Sequence, residues 1–147
     1  MPTLTLDFFF DLIGYVSVLF VVLAAIAKTT KGVLYSNLVA TGMLGTSLFF
    51  NGGISGAAAN AVTFTSKLLA LNIPEERLSL IKYSAPAIAF LVFLFSGEGL
   101  SGVLPSIALC FVLIADSQTN VFRMKLWYAG SLSCWLIYVI ALADWTT

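Results

Sequence analysis

The chain has 147 residues, 60% of them hydrophobic and only 10% charged, with a mean hydropathy of +1.02. A water-soluble domain of this size needs far more polar residues to cover its surface, so a soluble globule is excluded and a lipid-facing exterior is required. Seven cations balance seven acids and histidine is absent, which excludes a His-based metal centre; the cations are scattered over short connections, which argues against nucleic-acid binding.

One helix across the hydrocarbon takes roughly 17–25 residues, so the length holds about six spans and leaves little for a soluble domain. Residues 1–147 therefore read as a single integral membrane domain, an all-α polytopic helix bundle. The first span covers about 8–27. Asp7 precedes it, Asp11 interrupts it and no Lys or Arg lies upstream, so it reads as a retained helix despite the cleavage-like Ala25-Ile26-Ala27. Lys28 and Lys31 follow it, and the second span covers 33–50. Asn51-Gly52-Gly53 is a tight turn into a third, weaker span at 54–70. In the next connector, Pro74 followed by Glu75 and Glu76 is a helix-start signal. The fourth span covers 78–95 and the fifth 100–115. Residues 116–125 form the longest polar loop, and the sixth span covers 126–143.

The third segment carries Ser55, Asn60, Thr63, Thr65, Ser66 and Lys67 and would insert poorly alone, which suits an interfacial or re-entrant piece. The charges decide for a crossing. If it crosses, Lys28, Lys31, Lys67, Arg77, Lys82, Arg123 and Lys125 all fall on one side, with Glu75, Glu76 and Asp116, a net of +4. Asp7, Asp11, Glu98 and Asp144 fall on the other, a net of −4. That is the positive-inside pattern, with both termini outside. If it does not cross, only Lys28 and Lys31 stay inside.

A span that polar belongs inside the bundle. Gly56, Ala57, Ala58, Ala59 and Ala61 let neighbouring backbones approach, and Gly52 and Gly56 form a GxxxG pair that straddles the turn. Asn60, Thr63 and Lys67 recur at i, i+3 and i+7 as one polar stripe, with Lys67 near enough the inner end to snorkel. Asn60 is either an interhelical hydrogen-bonding residue or, with Thr63, a donor–acceptor group lining a solute pocket. Trp135, near the middle of the sixth span, and Tyr138, one turn on, are candidate lining residues or packing residues. Trp127, Tyr128 and Trp145 are interfacial belt residues. Pro86 and Pro105 interrupt the fourth and fifth spans; they are candidate hinges or static kinks. Cys110 and Cys134 fall in apolar runs and read as packing residues, not a disulfide or metal site. Gly99-Leu100-Ser101-Gly102 matches the GxSG of intramembrane serine proteases, but that chemistry needs a histidine base. No carboxylate pair is present either. The expectation is a protein with no catalytic residues and no cofactor.

A shift of 92 residues places Lys31 on Arg123, Leu34 on Leu126, Tyr35 on Trp127, Thr41 on Ser133 and Leu44 on Leu136. Such a register describes a three-helix parallel repeat whose two copies are separated by a linker helix, the fourth. The run Leu48-Phe49-Phe50-Asn51-Gly52-Gly53, the small-residue helix Gly56-Ala57-Ala58-Ala59-Asn60, and Ser131-Leu132-Ser133-Cys134-Trp135-Leu136-Ile137-Tyr138 together resemble the YgjV family of bacterial inner membrane proteins. The resemblance covers most of the chain in pattern and implies an inner-membrane location. Its layout is similar to the three-plus-one-plus-three helices of SWEET-like and PnuC-like carriers, which would put Asn60 and Trp135 on pocket-lining helices. The departures are a seventh helix not found in these 147 residues, missing repeat prolines in the first two spans, and a replaced histidine near Tyr138. Either the chain is a shortened member, or a partner subunit or second copy completes the wall.

Two functions are expected from this pattern: a small transporter-like bundle that binds or moves a small polar solute, or a non-transporting scaffold or accessory subunit. Lipid is the partner both require.

Overall fold

The computed structural model describes residues 6–50, 54–96 and 103–145, with side chains described over 8–50, 57–95 and 103–137. The regular structure of the described residues is helical, with α1 at Leu6–Ile26, α2 at Thr30–Phe50, α3 at Ile54–Asn72, α4 at Leu78–Ser96, α5 at Val103–Asp116 and α6 at Val121–Trp145. A single 3-10 turn, Glu75–Arg77, leads into α4. The Asn51-Gly52-Gly53 turn, the GxxxG start at Gly52 and the Gly99-Leu100-Ser101-Gly102 motif lie outside the described residues.

Each apolar run of the sequence appears as a helix, because a backbone in hydrocarbon must satisfy its own polar groups. Two helices begin earlier than the apolar runs alone suggest. α2 starts at Thr30, not at 33, because Thr29 caps it: the Gly32 amide donates to Thr29 Oγ1 at 3.1 Å and the Val33 amide to the Thr29 carbonyl at 3.0 Å. α6 starts at Val121, not at 126. Asn120 caps it, accepting the Arg123 amide on Oδ1 at 3.1 Å and the Met124 amide on its carbonyl at 2.9 Å. The polar loop of 116–125 thus shrinks to four residues, and Arg123 and Lys125 ride on the first turns of a helix. Pro74 stands just ahead of the 3-10 turn in extended backbone, its carbonyl accepting the Arg77 amide at 2.9 Å.

The helices gather into two compact units, one ending at Asn72 and the other beginning at Ile73. In the first, α2 packs against both α1 and α3; in the second, α5 packs against both α4 and α6. Around a core of Ala, Val, Leu, Ile and Met, large side chains also face outward and several polar ones lie inside. Tyr15 is 74% exposed, Tyr83 77% and Phe95 86%, while Ser17, Ser47, Thr63, Ser66, Lys67, Asp116 and Ser131 are buried. That arrangement suits hydrocarbon as the solvent, where apolar rings face outward at no cost and polar groups find partners inside. Phe8–Ile26, Thr30–Phe50 and Glu75–Phe95 are long and apolar enough to cross a membrane by length and composition. Val103–Asp116 is a shorter apolar helix.

Candidate polar seams within the helical units

The first unit is held by close approaches at glycine. A Cβ built on Gly14 of α1 would stand 2.9 Å from Ser47 Oγ of α2. On α2, one turn apart, Gly42 and Gly45 face α3: the added Cβ would meet the Phe64 ring at 3.2 Å and the Asn60 Cβ at 3.1 Å. Small residues at these positions let the helices approach closely, the usual device by which membrane helices gain dispersion contacts.

Along the same seam run the buried polar groups. Ser17 donates its hydroxyl to the Gly14 carbonyl at 2.6 Å. On α3, Thr63 donates to the Asn60 carbonyl at 3.0 Å, and Lys67 Nζ lies 3.4 Å from the Thr63 carbonyl. The i, i+3, i+7 stripe therefore exists as a set of neighbours on one helix face. Asn60 is half-buried, Thr63 is 9% exposed and Lys67 only 2%. Lys67 does not snorkel to water as its nearness to the helix end suggested. Its stem folds back toward the preceding turn, the direction in which helical side chains lean, and its ammonium is enclosed by protein.

In the second unit the equivalent feature is a carboxylate. Asp116, the last residue of α5, has no exposed surface and accepts a hydrogen bond from the Tyr128 hydroxyl of α6. Read from sequence, Asp116 is a loop charge and Tyr128 an interfacial belt residue; Asp116 is instead the buried end of α5, and the half-buried Tyr128 gives its hydroxyl to it. A carboxylate at a helix C-terminus meets the negative end of the dipole, so a hydroxyl donated to it offsets part of that penalty. Ser117 Oγ and Gln118 Nε2 both donate to the Ile114 carbonyl, at 2.7 and 3.0 Å, and close the helix end around it. Behind Tyr128, the Phe111 and Trp127 rings meet edge-on with centroids 5.4 Å apart, and Phe111 presses on Gly130.

Asn60 and Thr63 thus share α3 in the first unit. Trp135, half-buried, and Tyr138 stand on α6 in the second, with the Tyr138 side chain outside the described residues. Pro86 lies inside α4, with described helix on both sides, whereas Pro105 stands in the first turn of α5 as described. Ser17, Ser47, Ser66 and the Asp116–Tyr128 pair join the candidate polar residues. The signal of the three serines in the sequence is a small polar residue within an apolar run, which is common to packing and to function alike; the Asp116–Tyr128 pair has no local signal.

Apolar residues outside, glycine-tight seams and buried ionisable groups describe an intramembrane protein whose polar interior is built from its own helices. Residues 8–146 match the Imp-YgjV family, described as a bacterial inner membrane protein. The chain belongs to the Imp-YgjV family. No curated protein and no solved structure matches it. Membership places this YgjV-family chain in the bacterial inner membrane, and the match spans both helical units.

Proposed function

We propose that this YgjV-family protein binds or moves a small polar solute, with the polar face of α3 as part of the path. The observation that carries this reading is the line of Asn60, Thr63 and Lys67, with Ser66 beside it, buried or half-buried in an inner membrane protein. Ionisable side chains at membrane depth are costly and are candidates for solute or ion pathways, whereas an amide such as Asn60 also serves as an interhelical hydrogen-bonding group. Asn60 and Thr63 supply donor and acceptor groups for a solute; Trp135 and Tyr138 are proposed lining residues on α6, and Pro86 and Pro105 are proposed hinges. The proposed reading is non-enzymatic and without a cofactor; the histidine base that GxSG chemistry needs is absent from the sequence.

The proposed topology has six spans, both termini on the periplasmic side and every Lys and Arg toward the cytoplasm. The 92-residue register would make α1 and α2 counterparts of α5 and α6, and each of those pairs packs together within its own unit. A second copy or partner subunit is the proposed source of any further wall.

The test is Asn60→Ala, compared with wild type for uptake of a panel of radiolabelled polar metabolites into proteoliposomes. Lost uptake at unchanged membrane abundance supports the reading; unchanged uptake, or lost abundance alone, removes it. One observation favours the scaffold reading instead. Among the described residues no buried side-chain nitrogen or oxygen lacks a hydrogen-bond partner, so the polar face is satisfied without a solute. A dry centre around Asn60, inert to water-soluble thiol reagents at Asn60→Cys, would decide for the scaffold.

A further inference from the structure

Most outward-facing hydroxyls of the helices are satisfied by their own backbone. Thr46, Thr65 and Ser133 are exposed, and each donates to the carbonyl four residues earlier, at 2.8, 2.9 and 3.0 Å. A hydroxyl held in that way can face hydrocarbon. Tyr15 of α1 is different: it is 74% exposed and finds no hydrogen-bond partner among the described residues. Its ring holds the hydroxyl too far from its own carbonyls for the same device. Depth makes this costly. Tyr15 stands nine positions beyond Leu6 and eleven before Ile26, at ~1.5 Å per residue about 14 and 17 Å from the ends of α1. Tyr35 and Tyr83, also exposed, stand only five positions into α2 and α4, where an interfacial belt suits them.

We propose that α1 pairs with α1 of a second copy of this chain, with Tyr15 of each copy donating its hydroxyl to Asp11 of the other. Three observations select that occupant. Chemistry is the first: acyl chains accept no hydrogen bond, so a hydroxyl at this depth calls for a protein acceptor. Spacing is the second. Phe8, Asp11, Tyr15, Val18, Val22 and Ala25 are all exposed and recur at alternating steps of three and four, the heptad seam of two parallel helices. Ser17 and Ala24, on the opposite side of α1, are buried, so the seam is the face that α1 turns away from its own unit.

Self-complementarity is the third. Two copies in one membrane place their first helices parallel and at equal depth, and in such a seam the Tyr15 knob packs beside Asp11 of the other copy. Helical side chains lean toward the N-terminus, which carries the Tyr15 hydroxyl toward the level of Asp11, one turn earlier. A carboxylate has lone pairs for several donors, so Asp11 accepts this bond in addition to its present interaction. Donor and acceptor thus lie on one face with the offset that a two-fold axis requires. The approach of the two carboxylates is offset by the hydroxyl each receives.

The experiment uses the full chain in native membranes, in a Cys110→Ser, Cys134→Ser background, with single cysteines oxidised by copper phenanthroline. Disulfide-linked dimers should form severalfold faster at Val18→Cys and Val22→Cys than at Leu23→Cys or Leu132→Cys, which are exposed off the seam. Adding Tyr15→Phe or Asp11→Ala to Val22→Cys should slow crosslinking severalfold. Copies with Tyr15→Phe mixed with differently tagged copies with Asp11→Ala regain one of the two bonds, so mixed dimers should form faster than either homodimer. The rates at Val18→Cys and Val22→Cys alone decide the question if the added variants fail to accumulate. Equal rates on and off the seam, dimers at Leu23→Cys or Leu132→Cys instead, no effect of Tyr15→Phe, or mixed dimers no faster than homodimers would each overturn the proposal.

Discussion

Gly45 of α2 stands against Asn60 of α3 so closely that a Cβ added to the glycine would lie 3.1 Å from the asparagine Cβ. The most polar uncharged residue of the third segment is therefore positioned by the absence of a side chain on its neighbour. Gly45→Ala sets a helix-propensity gain of up to ~1 kcal/mol against the few tenths of an ångström by which Asn60 must yield, and is expected to be nearly neutral. Gly45→Leu has no such room and should destabilise the protein by about 1–3 kcal/mol. Thermal midpoints of detergent-solubilised protein, read by fluorescence-detected size exclusion, check both. A Gly45→Leu protein as stable as wild type would mean that α2 and α3 do not meet here.

Tyr128→Phe removes the hydroxyl that Asp116 accepts while keeping the ring. Leaving a buried carboxylate one donor short costs roughly 1–3 kcal/mol, so the variant should melt earlier. In an Asp116→Asn background the same change should cost less, because the charge that made the bond strong is gone. Additive losses in the double variant, by a double-mutant cycle, would show that the two groups are not coupled.

Lysine reactivity should divide the cations. Lys28, Lys31 and Lys82 are exposed, whereas Lys67 is enclosed. Brief treatment of inside-out vesicles with a membrane-impermeant amine reagent should modify the first three and spare Lys67. On the proposed topology, right-side-out vesicles should show none of the four modified. Modification of Lys67 at the rate of Lys31 would restore the snorkelling picture, and labelling of Lys82 from the periplasmic face would break the six-span arrangement.

Asn120→Ala should lower stability by about 0.5–2 kcal/mol, since it strips the cap from the Arg123 amide. Asn120→Asp should retain most of it, because a carboxylate accepts the same bond and a negative charge suits a helix N-terminus. A thermal midpoint unmoved by Asn120→Ala would return the start of α6 to the later position suggested by the apolar run.

The helical class and the main course of each helix were legible from the chain alone, for a physical reason. In hydrocarbon the backbone has to be helical, and long apolar runs separated by Asn, Gly, Pro and charged residues leave few ways to place the ends. The ends themselves were less legible. Thr29 and Asn120 resemble loop residues until their side-chain oxygens are seen to accept amides, which brings Lys31 and Arg123 onto helices. The polar face of Asn60, Thr63 and Lys67 was also readable, because a 3.6-residue period is a property of one helix and needs no partner.

Burial was another matter. Nothing in the local sequence distinguishes Lys67, 2% exposed, from Lys82, which is exposed, or Asp116 from any other acid at a helix end. Whether an ammonium meets water depends on which helices pack over it, and whether a tyrosine serves a lipid interface or a carboxylate depends on how a hairpin closes. The amino-acid order was sufficient for composition, periodicity and the compartment of this inner membrane protein. The contacts of Gly45 with Asn60 and of Tyr128 with Asp116 came only with packing, because each joins residues whose meeting no local preference specifies.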